Sequence, residues 1–159
     1  MEFAQLVKKF TRAVEKHDGK ALASCFTPTG VYHDAFYGTF KGRAAIDKML
    51  DVFHRDGKDY VWTMKDPVSN GKVGYARWEY FAYASTMPQR KGKKVVATGI
   101  SYFKLRGGLV TFYREEMNTG LAFSQMGLPG SAMEKIFGKG ARQLLAVPSA
   151  AKLRAKLGK

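Results

Sequence analysis

The sequence predicts an α+β domain in which helices cover one face of a curved, mostly antiparallel sheet. Two observations carry this prediction. Apolar residues recur at helical spacing in the first third of the chain, whereas residues 60–118 contain four stretches typical of strands, joined by tight turns. Helices that precede an antiparallel meander favour a single helical layer on a single sheet. The chain shows no internal repeat and no regular strand–helix alternation, which would have indicated a parallel sheet.

Three helices are predicted before the meander. The first begins near Phe3, and its apolar residues share one face while basic residues occupy the other. Asp18 can cap a short second helix over 20–26. A short strand over 31–34 and a glycine-punctuated loop follow, and a third amphipathic helix is predicted over 43–53. The apolar positions of the first and third helices are Phe3, Leu6, Val7, Phe10, Val14, Ala45, Ile46, Met49, Leu50 and Phe53.

The meander is predicted from strand-like stretches that end at turn residues. Ser69-Asn70-Gly71 and Arg106-Gly107-Gly108 supply two of the turns, and a basic loop over 90–94 supplies another. The predicted strands span 60–64, 73–84, 95–105 and 109–118.

Beyond Thr119 the pattern weakens. A short helical or irregular piece is expected over 123–128, a helix over 131–145, and a basic helix over 150–157. We therefore expect a domain over 1–126 and a basic C-terminal extension over 127–159, within one single-domain chain.

Composition bounds the possible partners. The chain has a formal net charge of +14, of which residues 128–159 supply +6, so nucleic acid or an anionic membrane could be attracted. No nucleic-acid motif accompanies the charge, and no apolar stretch is long enough to span a membrane. A solvated basic surface is therefore favoured over a nucleic-acid partner, and no membrane partner is expected. The N-terminus lacks the apolar run of a signal peptide, so the default location is cytoplasmic.

Neither a cysteine site nor a metal site is predicted. The single cysteine, Cys25, excludes an internal disulfide and a cysteine-based zinc site, and its apolar neighbours favour a buried core residue over a catalytic thiol. The three histidines are scattered without ligand spacing.

The stretch YARWEYFAYA, residues 75–84, places charge among aromatic residues on a predicted strand. Strand alternation puts Arg77 and Glu79 on one face together with Tyr75, Phe81 and Tyr83. If that face lines a cavity, the ion pair is buried and needs a functional reason. If it faces solvent, it is an ordinary surface pair. The sequence leaves both possibilities open.

The element order, the segment VYHDAFYGTFKGRAAID and the last strand GGLVTFYREEMN together resemble the nuclear transport factor two-like superfamily. The similarity covers about residues 3–126, and the SnoaL-like polyketide cyclases, steroid delta-isomerase-like proteins and limonene epoxide hydrolases are the nearest branches. This resemblance implies a cone-shaped sheet wrapped around the N-terminal helices, an apolar pocket and a homodimer.

The resemblance to the limonene epoxide hydrolases also implies site residues. Their Arg-x-Asp strand corresponds to Arg77-Trp78-Glu79, and the first Asp of their last-strand motif corresponds to Glu115, with Tyr32 and Asp34 nearby. Both catalytic aspartates would be glutamates here, which weakens the assignment to that one activity. Alternation on the last strand sets Glu115 on the face of Tyr113 and Met117, and Glu116 on the face of Val110 and Phe112, so only one of the two acids can face the pocket. The resemblance favours Glu115, with Tyr113 and Met117 beside it as substrate-binding residues.

These residues lead to two functional expectations. In the first, Glu79 and Glu115 act as acid and base, Arg77 orients them, and Tyr32 and Asp34 position substrate or water. Such a site needs no metal or organic cofactor, and it suits an isomerase, cyclase or epoxide hydrolase that acts on a small apolar oxygenated molecule. In the second, the domain is a non-catalytic ligand-binding or dimeric interaction domain of the same fold.

Overall fold

A computed structural model describes residues 1–157 of the protein. The chain forms two compact units, Met1–Met126 and a second unit that begins at Gly127. No helix among residues 1–157 is long and apolar enough to cross a membrane.

The helices of the first unit follow the predicted apolar spacing closely. Asp18 caps the second helix as expected, because its carboxylate accepts a hydrogen bond from the backbone N–H of Ala21 at 2.8 Å. That helix ends at Ser24, earlier than predicted, since Phe26 already starts a strand. The helices are α1 (Phe3–Glu15), α2 (Gly19–Ser24), α3 (Arg43–Asp56) and α4 (Thr119–Gln125), and Pro88–Arg90 adds one 3₁₀ turn.

Six strands form one curved sheet in the order β2-β1-β6-β5-β4-β3. The predicted meander, β3 to β6, is antiparallel throughout, as expected. The pairing of β1 with β6 is parallel and was not predicted, because its partners lie about eighty residues apart in the chain. The strands are β1 (Phe26–Asp34), β2 (Gly38–Lys41), β3 (Gly57–Ser69), β4 (Val73–Ser85), β5 (Lys94–Arg106) and β6 (Leu109–Met117).

The segment predicted as a glycine-punctuated loop contains β2. Gly38 takes a φ of +86°, a left-handed value that glycine adopts without strain, and this tightens the turn after Asp34. The chain then returns antiparallel to β1, with Asp34 opposite Gly38. The turn therefore fixes the position of Asp34 at the end of β1.

An aromatic core joins α1 to the sheet. Phe10 on α1 is fully buried, and its ring lies 4.8 Å from that of Tyr113 and 5.8 Å from that of Tyr32. Phe103 and Trp62 contact the same ring edge-on at 5.6 and 5.7 Å. Aromatic residues from four strands and one helix thus meet at one point, which closes the inner end of the sheet.

The second unit contains two helices, α5 (Gly130–Leu145) and α6 (Pro148–Arg154). Both lie where the sequence predicted helices, although α6 begins and ends earlier. Neither helix contains a buried residue.

We expect Phe10→Ala to lower the free energy of unfolding by about 3 to 5 kcal/mol, because a buried ring is lost and the surrounding rings cannot collapse into its place. Urea denaturation followed by tryptophan fluorescence measures the change. Val68→Ala, at a side chain that is 61% exposed, is the control and should change it by less than about 0.5 kcal/mol. Equal effects of the two substitutions would contradict this account of the core.

Candidate functional site

The first unit contains a cavity of about 200 Å³ between the helices and the sheet. Ten aromatic residues, three methionines and three carboxylic acids line it, and none of its described lining residues is a lysine, arginine or histidine. A cavity of about 150 Å³ admits benzene, so this one has room for a small cyclic molecule. The lining residues are Tyr32, Asp34, Phe36, Tyr37, Phe53, Asp56, Tyr60, Trp62, Trp78, Phe81, Tyr83, Met87, Glu115, Met117, Phe123 and Met126.

Two of the acids form a buried pair at the ends of neighbouring strands. Asp34 ends β1 and Glu115 lies on β6, and they are 6% and 7% exposed. Asp34 Oδ1 accepts hydrogen bonds of 2.7 Å from the backbone N–H groups of both Phe36 and Tyr37. Glu115 Oε1 accepts one of 3.0 Å from Ala35 N–H, whereas its Oε2 is buried without a hydrogen-bond partner in the described part of the chain.

The surroundings of Asp34 and Glu115 affect the pKa of each acid differently. Burial raises the pKa of Glu115 well above its usual value, and the neighbouring Asp34 charge raises it further. Burial also raises the pKa of Asp34, but the N–H groups of Tyr37 and Phe36 stabilise its ionised form. Two adjacent buried carboxyls cannot both ionise without a large cost, so they hold one proton between them. That proton favours Glu115, since Asp34 receives two N–H hydrogen bonds and Glu115 receives one.

A chain of hydrogen bonds through Trp78, Ser101 and Tyr113 leads to the Glu115 carboxyl. Trp78 Nε1 donates to Ser101 Oγ at 2.7 Å, and Ser101 Oγ lies 2.8 Å from Tyr113 Oη. The Tyr113 hydroxyl in turn acts to lower the pKa of Glu115, which opposes part of the burial effect. Ser101 and Tyr113 are fully buried, so the chain holds the carboxyl in place.

The third acid belongs to a second polar group. Tyr37 Oη donates to Asp56 Oδ2 at 3.0 Å, and Arg55 Nε donates to Asp56 Oδ1 at 2.7 Å. The hydrogen bond from Arg55 lowers the pKa of Asp56, so this carboxylate stays ionised. Arg55 itself is not a lining residue, and its side chain is 69% exposed.

Arg77 and Glu79 do not lie in the cavity. Arg77 bonds Asp66 at 3.1 Å with 54% of its side chain exposed, and Glu79 lies 3.6 Å from Lys65 with 42% exposed. Both ion pairs join the outer face of β4 to β3. The predicted grouping of Arg77 and Glu79 with Glu115 is therefore wrong.

A β-bulge in β4 explains the error. Trp78 pairs with Gly99, but Phe81 pairs with Ala97, so β4 contains one more residue than β5 over this interval. The alternation of inward and outward side chains is therefore inverted after the bulge. Trp78 faces inward before it, and Phe81 and Tyr83 face inward after it, while Arg77 stays outside.

The remaining predicted site residues lie at or beside the cavity. Tyr32, Asp34, Glu115 and Met117 line it. Tyr113 is fully buried behind the wall, with its ring 4.5 Å from that of Tyr32. Glu116, the alternative to Glu115, has a side chain that is 72% exposed and bonds to Arg114.

Sequence reasoning missed Asp56 and the inward role of Trp78. One signal pointed to Asp56, because a carboxylate in the last turn of a helix opposes the helix dipole and calls for a compensating partner. Trp78 directly follows Arg77, so alternation places it on the opposite face of the strand, and in the structure that face lines the cavity. Cys25 is buried as expected, and burial raises the pKa of its thiol to about 11.

A family model described as a SnoaL-like domain matches residues 7–113. The chain belongs to this family. Among solved structures, a hypothetical protein with a ketosteroid isomerase-like fold from Catenulispora acidiphila, in complex with trimethylamine, is 18% identical, with a TM-score of 0.71 over 80% of this chain and 96% of that one.

Two further structures have the same fold as this SnoaL-like chain. A candidate SnoaL-like polyketide cyclase from Shewanella putrefaciens is 18% identical, with a TM-score of 0.67 over 81% of this chain and 99% of that one. An LEH-like epoxide hydrolase from M. tuberculosis is 13% identical, with a TM-score of 0.62 over 77% and 86%. A comparison with curated protein sequences finds no significant match. At these identities the solved structures establish the fold of the SnoaL-like unit and not its activity.

We expect Glu115→Gln to gain stability over the wild type as the pH rises. The raised pKa favours the protonated form of Glu115 in the folded state. Its contribution to the free energy of unfolding is therefore full below the unfolded-state pKa of about 4.3, and it is lost as the pH rises toward the folded-state pKa. Glutamine cannot ionise, so the difference should grow by about 1.4 kcal/mol per pH unit across that window.

Urea denaturation at a series of pH values measures this difference. Glu116→Gln, at the adjacent exposed position, is the matched control and should run parallel to the wild type. Parallel curves for Glu115→Gln as well would show that Glu115 ionises normally.

Proposed function

We propose that this SnoaL-like protein is a cofactor-independent acid/base enzyme that acts on a small, largely apolar oxygenated molecule. The observation that carries the proposal is the buried pair of Asp34 and Glu115 at the wall of an aromatic cavity, in which two backbone N–H groups bond to Asp34 and the Glu115 pKa is raised well above its usual value. A base and an acid within one site are what proton transfer in an apolar substrate requires. Arg77 and Glu79 have no part in this proposal.

The pair supports enolisation of a carbonyl compound. Asp34 removes a proton from the carbon next to the carbonyl, and the electron pair moves into the carbon–carbon bond. Glu115 gives its proton to the carbonyl oxygen, so no free enolate forms in the apolar cavity. In a β,γ-unsaturated ketone, the proton held by Asp34 returns at the γ-carbon and the enol O–H returns its proton to Glu115, so the double bond moves into conjugation. In a ring closure, the enol carbon attacks a second carbonyl of the same molecule, the proton held by Asp34 passes to the new alkoxide, and the enol O–H returns its proton to Glu115.

Glu115 is suited to the role of acid by its unpaired oxygen. Oε2 has no hydrogen-bond partner among residues 1–157, so a substrate oxygen would supply the partner that this buried atom lacks. Closure of the aromatic walls around the substrate would exclude water and strengthen that hydrogen bond. Tyr32, beside the pair, would pack against the substrate ring.

We expect Asp34→Asn and Glu115→Gln each to lower kcat by about a hundredfold or more, because each removes one proton-transfer group. Isomerisation of single-ring β,γ-unsaturated ketones, followed by the absorbance of the conjugated product, is the assay. Glu79→Gln should leave kcat unchanged, since Glu79 lies on the outer face. Turnover that is unaffected in both pocket variants would reject the proposed roles.

The second candidate is a protein of the same fold that binds a small ligand without catalysis. Arg77 and Glu79, which were predicted as pocket residues, lie outside the cavity, and this favours binding without catalysis. One solved neighbour was determined with trimethylamine bound. Detectable ligand binding without turnover of any ketone, epoxide or enone would support it over the enzyme.

We also propose a homodimer formed through the outer face of β4 and β5. Four large apolar side chains there are about half exposed, which is unusual for the surface of a monomer. They are Tyr75, Tyr80, Val96 and Ile100.

We expect Ile100→Glu to shift the protein from dimer to monomer, because it puts a charge at the centre of that face. Light scattering coupled to gel filtration measures the mass. Gln5→Glu, an equal charge change on the exposed side of α1, should leave the dimer intact. A wild type that is already monomeric would reject the interface.

A further inference from the structure

The cavity has the opposite electrostatic character from the rest of the protein. The chain carries a net charge of +14, yet the cavity is lined by three carboxylic acids and by no described lysine, arginine or histidine. A pocket for a neutral apolar molecule needs apolar walls and one or two polar contacts. The three carboxyl groups, from Asp34, Asp56 and Glu115, exceed that need.

Hydrogen-bond donors stabilise the ionised forms of Asp34 and Asp56. Asp34 accepts two backbone N–H hydrogen bonds, and Asp56 accepts hydrogen bonds from Arg55 and Tyr37. Their negative field reaches the opposite wall. Beyond the effect of burial, it contributes to the raised pKa of Tyr60 and of Tyr83.

Aromatic rings form the wall contributed by β3 and β4. Tyr60 and Tyr83 stack with their centroids 5.3 Å apart, and Phe81 lies 5.9 and 5.8 Å from them. Trp62 continues the wall, 5.1 Å from Phe81. The face of an aromatic ring attracts a cation, and the attraction is stronger where water is excluded.

These features discriminate among ligands by charge. An anion would meet two carboxylates and no cationic side chain from the lining, at a substantial cost in free energy. A neutral ligand would gain from the apolar walls alone. An organic cation would gain from the rings and from the carboxylates together, and its alkyl groups would still be buried.

We propose that the cavity binds a small organic cation, a tertiary or quaternary amine whose charged nitrogen lies against the ring faces of Tyr60, Phe81 and Tyr83, with Asp34 and Asp56 as counter-charges. As a statement about the substrate this rests on the proposed function, and it makes that substrate an oxygenated molecule that also bears an amine. As a statement about binding it stands on the lining residues alone.

The test compares two probes of equal shape and different charge. Choline carries a trimethylammonium group, and 3,3-dimethylbutan-1-ol carries a tert-butyl group in the same place. Titration calorimetry on the full chain should give choline a Kd about tenfold lower than that of the alcohol, as cation–π contacts with a nearby carboxylate imply. Equal affinities, or no binding of choline, would overturn the proposal.

Substitutions test the contributions of the carboxylates and of the aromatic rings to choline binding one at a time. Asp34→Asn and Asp56→Asn should each reduce the choline preference to about twofold or less, because each removes one counter-charge. Phe81→Leu should reduce it while the affinity for the alcohol stays the same, because leucine keeps an apolar wall without a ring face. Circular dichroism in the aromatic region verifies that each variant is folded, and Glu79→Gln on the outer face should bind as the wild type does. Full choline preference in all three pocket variants would overturn the proposal.

Glu115→Gln distinguishes this inference from the proposed function. Because the proton favours Glu115, its replacement by the neutral glutamine should lower kcat by about a hundredfold or more and leave the choline preference intact. Equal Kd values for choline and the alcohol, together with turnover that depends on Glu115, would overturn the cation site alone. A choline Kd about tenfold below that of the alcohol, together with turnover that does not depend on Glu115, would overturn the acid/base proposal alone.

Discussion

The parallel pairing of β1 with β6 is the constraint on which the site depends. It sets Tyr32 opposite Tyr113 and His33 opposite Arg114, so Asp34 and Glu115 follow at the same level of the sheet. Without it the two acids would lie at unrelated ends of the chain. The pairing also aligns the rings of Tyr32 and Tyr113 beneath the acids, where Phe10 of α1 packs against both. Core packing and the carboxyl pair are therefore products of a single register.

The pair is costly to bury, and the structure offsets that cost locally. The turn after β1 supplies three backbone N–H groups to the two carboxyls, those of Ala35, Phe36 and Tyr37. One shared proton removes most of the remaining repulsion. The oxygen left without a partner belongs to the protonated acid, and this is the group that a proton-transfer reaction would use. The same carboxylates give an otherwise basic protein a cavity of negative character.

The bulge in β4 decides which side chains complete the cavity. Strict alternation would put Arg77 and Glu79 beside Phe81 and Tyr83, and one additional residue separates them. The aromatic residues remain with the pocket, while the charged residues form ion pairs with β3 at the surface. A wall of aromatic rings results in place of a wall that contains an arginine and a glutamate.

Local patterns in the sequence determined the helices, the meander and the family resemblance, because apolar spacing and turn residues act over a few neighbouring positions. The family resemblance also favoured Glu115 over Glu116 and placed Asp34 near it. Only the tertiary structure decided the partner of Glu115 and the orientation of β4. The β1–β6 register depends on contacts between residues about eighty positions apart, and the bulge depends on how β4 fits β3 and β5 at once. Neither leaves a periodic signal, since a single inserted residue changes the face of every side chain after it without changing the composition of the strand.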